Sequence, residues 1–226
     1  MLNQFSRTEM IFGPDGMEKL KNSRVAVFGI GGVGGYVVEV LARSGVGSLD
    51  LFDNDKVSVT NINRQIYATT KTIGKFKVDV AKKRILEINP EASVNIYKIF
   101  FLPETSKEVD FSKYDYIVDA IDKISGKIEL AVKAREYNIP IISSMGAGNK
   151  ISPTMFQVAD IYETKICPLA KIMRRELKKR GIDELLVVYS TEIPRKTEGV
   201  RTPASISFVP PVAGYLMAGA LLNGLC

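Results

Sequence analysis

Apolar and polar positions follow two rhythms along this chain, and the rhythms alternate. Residues 24–28 (Arg24-Val25-Ala26-Val27-Phe28) form a short run of β-formers that ends in Gly29-Ile30-Gly31-Gly32-Val33-Gly34, and residues 36–44 then repeat apolar side chains at helical spacing. The order is strand, turn, helix. Residues 48–53 predict a second strand, and 74–89 a long helix closed by Pro90, because the residue before a proline avoids helical geometry. Further strands are predicted over 93–100, 114–120 and 140–145, with a helix over 125–138 between the last two. Strands alternating with helices predict an α/β fold built on a doubly wound, mostly parallel sheet.

After Gly148 the pattern loosens. Residues 154–160 and 185–190 read as strands flanking a helix over 168–180, and an apolar helix spans 211–225. In the 168–180 helix, Pro168 suits the first turn, Leu169, Ile172, Met173 and Leu177 share one face, and Gly181 suits the stop. Its other face is almost wholly basic. Residues 191–204 lack an apolar period and carry Pro194, Gly199 and Pro203, which predicts a mobile surface loop. The expectation is one domain over 1–226, with a Rossmann-like nucleotide-binding half (1–148) and a C-terminal α+β lobe for substrate and dimer contacts (149–226).

Composition narrows the chemistry. With 226 residues, 46% hydrophobic and 25% charged, the chain has the balance of an ordinary globular protein and can bury a core. The N-terminus carries Arg7, Glu9, Asp15 and Glu18, so it lacks a signal-peptide core. The longest apolar stretch, 206–222, is broken by Pro210 and Pro211 and falls short of a membrane span, so a cytoplasmic location is expected. Cys167 and Cys226 form no CxxC pair, which argues against a disulfide framework or a cysteine zinc site. There is no histidine, which removes Ser-His-Asp and Cys-His pairs and imidazole acid–base chemistry. Whatever chemistry occurs must run on carboxylates, lysine, arginine, backbone amides, a bound metal or the substrate.

The net charge of +6 is concentrated over 165–201, where ten Lys or Arg face five acids. Such a segment can bind nucleic acid or simply be a solvated face. The candidate nucleic-acid contacts are Lys171, Arg174, Arg175, Lys178, Lys179, Arg195 and Lys196.

In a Gly-x-Gly-x-x-Gly turn the first glycine (Gly29) permits the sharp turn and the second (Gly31) admits phosphate oxygens to the backbone. The third (Gly34) lets helix and strand pack closely, and the helix N-terminus offers free N–H groups to an anion. Asp53, 19 residues beyond Gly34 at the end of the next strand, suits a ribose hydroxyl. A nicotinamide cofactor is the default ligand, yet the residues that follow favour ATP: Asp53-Asn54-Asp55, then Asn61-Ile62-Asn63-Arg64-Gln65, then Gly74-Lys75-Phe76-Lys77, and Asp122 just past a strand. Cleavage between the α- and β-phosphates needs cations on the departing pyrophosphate and a carboxylate for magnesium. Arg64, Lys77 and Asp122 are groups of those kinds, although each alone also suits a surface salt bridge, a solvated helix face or a helix cap.

Together these motifs, including Gly32, Asp55, Asn61 and Gln65, resemble the E1-like superfamily that adenylates carboxylates: ubiquitin activators and the bacterial ThiF, MoeB and HesA proteins. The resemblance implies that Asp53 holds the ribose, that Arg64 and Lys77 bind the phosphates, and that Asp122 supports Mg2+ through the nucleotide. It also implies a homodimer in which Arg7 reaches the partner's ATP. Ser143-Ser144-Met145-Gly146-Ala147-Gly148-Asn149-Lys150, Cys167-Pro168-Leu169-Ala170, Val188-Tyr189-Ser190-Thr191-Glu192 and Phe208-Val209-Pro210 are similar to the tRNA threonylcarbamoyladenosine dehydratase branch, TcdA or CsdL. That likeness implies ATP-dependent cyclisation of a threonylcarbamoyl side chain on tRNA, and a Na+ or K+ site.

The chain departs from the MoeB kind of sulfur-carrier activator in lacking paired CxxC motifs, and it ends soon after an apolar helix where relatives often continue. Alternative readings are an activator of a sulfur-carrier or ubiquitin-like protein, with Cys167 as thioester nucleophile, and a non-catalytic nucleotide-dependent partner of a cysteine desulfurase. An NAD-dependent dehydrogenase explains neither Arg64 nor Lys77.

Overall fold

The structure is a computed structural model and describes residues 2–196 and 202–226. The middle of the loop expected over 191–204, with Glu198 and Arg201 of the basic segment, lies outside the described residues. Seven strands, β1 (Arg24–Phe28), β2 (Ser48–Phe52), β3 (Ser93–Tyr97), β4 (Tyr116–Asp119), β5 (Ile141–Ser144), β6 (Phe156–Asp160) and β7 (Leu186–Ser190), form one sheet. Their order is β3-β2-β1-β4-β5-β7-β6, and every pairing is parallel except β6 with β7.

Strand alternation divides the apolar residues between two faces. Val25 and Val27 of β1 join Leu49 and Leu51 of β2 beneath α2 (Gly34–Arg43), α3 (Lys77–Ile88) and α6 (Val209–Leu225). Ala26 and Phe28 point the other way, into an aromatic cluster with Phe52, Phe101 and Phe111, where the Phe28 and Phe52 rings stack at 4.2 Å. Both faces are therefore covered, which explains why β1 reads as a continuous apolar run after Arg24.

The C-terminal lobe extends this sheet. β7 pairs directly with β5 and carries β6 outside it, while α5 (Pro168–Lys178) covers a second core that includes Met173, Leu177, Val187 and Tyr189. Several element ends differ from expectation. α3 begins at Lys77 because Gly74, at φ 83°, is in a left-handed turn. The strand expected over 93–100 ends at Tyr97. α6 begins at Val209, placing Pro210 and Pro211 in the first turn, where a missing N–H costs nothing. The sequence pattern missed α1 (Ser6–Asn22). It is interrupted at Gly13 (φ 72°, ψ 173°) and Pro14 and fully buries only Gly16 and Leu20, so its apolar period is weak. None of the described helices is long and apolar enough to cross a membrane.

Candidate active site

From β1 the chain winds outward to β2 and β3 on one side, and β4 and β5 lie on the other. This reversal leaves a crevice beyond the C-terminal ends of β1 and β4, where open α/β sheets bind ligands. A cleft of about 420 Å³ opens there, lined by Gly29, Gly31, Gly32, Asp53, Asp55, Asn61, Arg64, Gln65, Lys77 and Asp122 among others. Residues spread over some ninety positions of sequence thus meet in one place, brought there by the turns after β1, β2 and β4.

The three glycines of the motif differ in the space around them. Gly29 has φ 88°, and a Cβ there would lie 2.7 Å from the Ala120 carbonyl oxygen; a Cβ on Gly34 would lie 1.8 Å from the Gly29 carbonyl oxygen. Gly34 does not line the cleft, and its role is close packing behind it. At Gly31 a Cβ would meet only the Gln65 amide, at 3.8 Å, so the loop leaves open space on the cleft side. That space is a cradle suited to phosphate.

Asp53 is braced by two backbone amides: Ile30 N–H donates to its Oδ2 at 2.7 Å and Asp55 N–H to its Oδ1 at 2.8 Å. Burial pushes its carboxyl above the usual carboxylate range, against the pull of the Lys77 charge and those amides. Lys77, at the buried start of α3, places its ammonium 2.7 Å from Asp55 Oδ2 and 3.8 Å from Asp53 Oδ2. Arg64 donates to the Thr60 carbonyl and to Asn63 Oδ1, each at 2.9 Å, from the rim. Asn61 lines the cleft, but its Oδ1 accepts from Ser58 N–H and closes the short turn Val59–Asn61. Asp122 is exposed at the mouth. Arg7 is exposed on α1 and does not line the cleft of its own chain.

Sequence reasoning missed one wall. Residues 202–205 border the cleft, held by Ala204 N–H donating to Asn149 Oδ1 (2.7 Å), Asn149 N–H to the Ala204 carbonyl (2.8 Å) and Asn63 Nδ2 to the Ser205 carbonyl (3.0 Å). The motifs contain both asparagines, but a contact across 142 residues leaves no local trace.

The basic segment is less free than its composition implies. Arg175, Lys179 and Arg180 all pair with Glu176, at 3.1, 3.1 and 3.2 Å, and their hydrogen bonds pull its carboxyl down to about 2. Arg174 turns back to donate to the Thr164 carbonyl and hydroxyl. Lys171 and Lys178 have no ion-pair partner among the described residues, and Arg195 and Lys196 are exposed. Cys167 is buried just before Pro168, packed in the second core.

A model of the ThiF family matches residues 5–226. The chain belongs to the ThiF family. Within it, the tRNA threonylcarbamoyladenosine dehydratase of Bacillus subtilis is 46% identical, covering 100% of this chain and 95% of that protein. The Escherichia coli protein of the same description is 37% identical over 84% of this chain and 74% of its own. The solved E. coli dehydratase TcdA superposes with a TM-score of 0.92 in its complex with AMP and 0.89 in its complex with ATP. Each superposition has 32% identity and covers 98% of this chain and 93% of the other. This ThiF-family chain therefore falls in the dehydratase branch.

Proposed function

We propose that this protein is an ATP-dependent tRNA threonylcarbamoyladenosine dehydratase. The single observation that carries the reading is the convergence of Arg64, Lys77 and Asp122 with the open glycine loop on one cleft. A carboxylate is a poor electrophile. In this reading an oxygen of the threonine carboxylate attacks the α-phosphorus of ATP, the bond to the β-phosphate breaks and pyrophosphate leaves. Lys77 and Arg64 offset the charge that develops on it. The carbamoyl group of the same side chain then attacks the acyl carbon, the ring closes as its proton passes to water, and AMP departs. Because the substrate supplies its own second nucleophile, no enzyme nucleophile is required, which agrees with a chain that contains no histidine to activate one.

Among the described residues no group of three or more Asp, Glu, His or Cys could hold a metal by itself. Asp122 is a single exposed carboxylate, which fits magnesium bound chiefly through nucleotide phosphates. Once bound there, the ion would neutralise phosphate charge. The same reading places the RNA backbone along Lys171, Lys178, Arg195 and Lys196, and makes the active form a homodimer.

Incubation with ATP, magnesium and tRNA bearing threonylcarbamoyladenosine should yield one AMP per modified base. Nucleoside mass spectrometry should then show loss of one water. No AMP and no mass change would sink the proposal. Burial of Cys167 weighs against the thioester-forming activator; Cys167→Ala should leave AMP formation intact.

A further inference from the structure

Lys127 is fully buried, its ammonium 3.0 Å from Asp119 Oδ2, and Asp119 is buried just as deeply. The chemistry above uses neither group. An ion pair withdrawn from water is weak evidence for stability, since desolvation offsets most of the attraction and apolar side chains of equal volume serve a core as well. The place of the pair distinguishes it. Asp119 is the last residue of β4, and the next three residues, Ala120, Ile121 and Asp122, all line the cleft. Lys127 lies one turn into α4 (Ile124–Glu136), the helix that follows. Its ammonium also donates to the Ile121 carbonyl at 3.1 Å, so one cation grips the turn at its base and at its tip.

Other contacts close the frame. Ser143 of β5 donates its hydroxyl to the same Asp119 oxygen, tying in the neighbouring strand. Ala120 N–H donates to the Phe28 carbonyl at 2.8 Å, which ties the turn to the strand that enters the glycine loop. Asp122 itself has no hydrogen-bond or ion-pair partner among the described residues, so the backbone of this turn sets where its carboxylate points.

We infer that Lys127 is a positioning residue: with Asp119 and Ser143 it fixes the 120–123 turn, so that Asp122 stays aimed at the divalent ion carried by the nucleotide phosphates. The inference rests on the reading of the cleft as an ATP and magnesium site. Lys127 touches no reacting atom.

The test is calorimetric titration with ATP, once in excess magnesium and once in chelator. The proteins are wild type, Lys127→Met and the double variant Asp119→Asn with Lys127→Met. The double variant removes both charges and guards against a single variant that fails to fold around an unpaired carboxylate; thermal melting checks both. Ser143→Ala, which keeps the ion pair, should show the same effect more weakly. In the double variant the magnesium-dependent gain in ATP affinity should shrink at least fivefold, while affinity in chelator stays within twofold of wild type. A purely structural role would change both affinities alike or neither. An undiminished magnesium gain in the variants, or no gain in the wild type, overturns the inference. Wild-type protein that binds ATP with magnesium yet makes no AMP would remove the dehydratase reading and leave the positioning result standing.

Discussion

At the scale of single residues, the glycine loop answers to two separate demands. Gly34 serves packing: a Cβ there would lie 1.8 Å from a backbone oxygen and 3.0 Å from Ala120 Cβ, with no flexible side chain to yield. We propose that Gly31 serves the ligand, because a Cβ there would project into open cleft. Gly34→Ala gains up to about 1 kcal/mol of helix propensity, but overpacking costs about 1–3 kcal/mol or more, so the clash decides. The melting temperature and ATP affinity should both fall. Gly31→Ala should melt within about 0.5 kcal/mol of wild type, as open-site substitutions do, yet bind ATP at least tenfold more weakly. Paired thermal melts and ATP titrations check this; equal losses of stability in the two variants would refute the division of roles.

At the scale of elements, legibility followed the strength of local pattern. β1, β2 and the helices after them were plain because the strands are rich in apolar β-formers and the helices keep apolar side chains at helical spacing. α1 was not, since Gly13 and Pro14 interrupt it and most of it is exposed. The pairing of β7 with β5 was hidden too, because strand order depends on contacts between residues more than forty positions apart. In the site, the kinds of groups were visible in the motifs, but the Lys77 pairing with Asp55, the 202–205 wall and the Lys127 frame were not. Asp50 shows the same limit within a strand. It is wholly buried in β2 and accepts hydrogen bonds from Arg24 of β1, from Asn95 and Tyr97 of β3 and from Tyr114. Burial pushes its carboxyl up, but the bonds from Asn95, Arg24 and Tyr114 outweigh it and hold it below the usual range. A carboxylate depressed in the folded state adds stability above its unfolded value, about 3.9, and that stability is lost as pH falls through the lower folded value. Asp50→Asn should cost about 3–5 kcal/mol at neutral pH, toward the lower end because Arg24 is about a third exposed. Urea melts at pH 7 and pH 3 should differ less for the variant than for wild type.

At the scale of the whole molecule, one face of α1 is exposed and meets no partner among the described residues. Arg7, Met10 and Ile11 follow the i, i+3, i+4 spacing of a single helical stripe, and Met10 and Ile11 are each 80% exposed. An apolar pair beside a cation that does not line its own cleft fits an isologous dimer in which each protomer lends Arg7 to the other's nucleotide. Arg7→Ala and Lys77→Met should then each abolish most AMP formation, for different reasons: one variant lacks the lent arginine and the other the resident lysine. Co-refolded in equal amounts, the two variants should form mixed dimers in about half of all assemblies, each with one intact site, and recover about a quarter of wild-type activity. An arginine that acted only within its own chain would leave the mixture as inactive as its parts, because every protomer would still carry a defect.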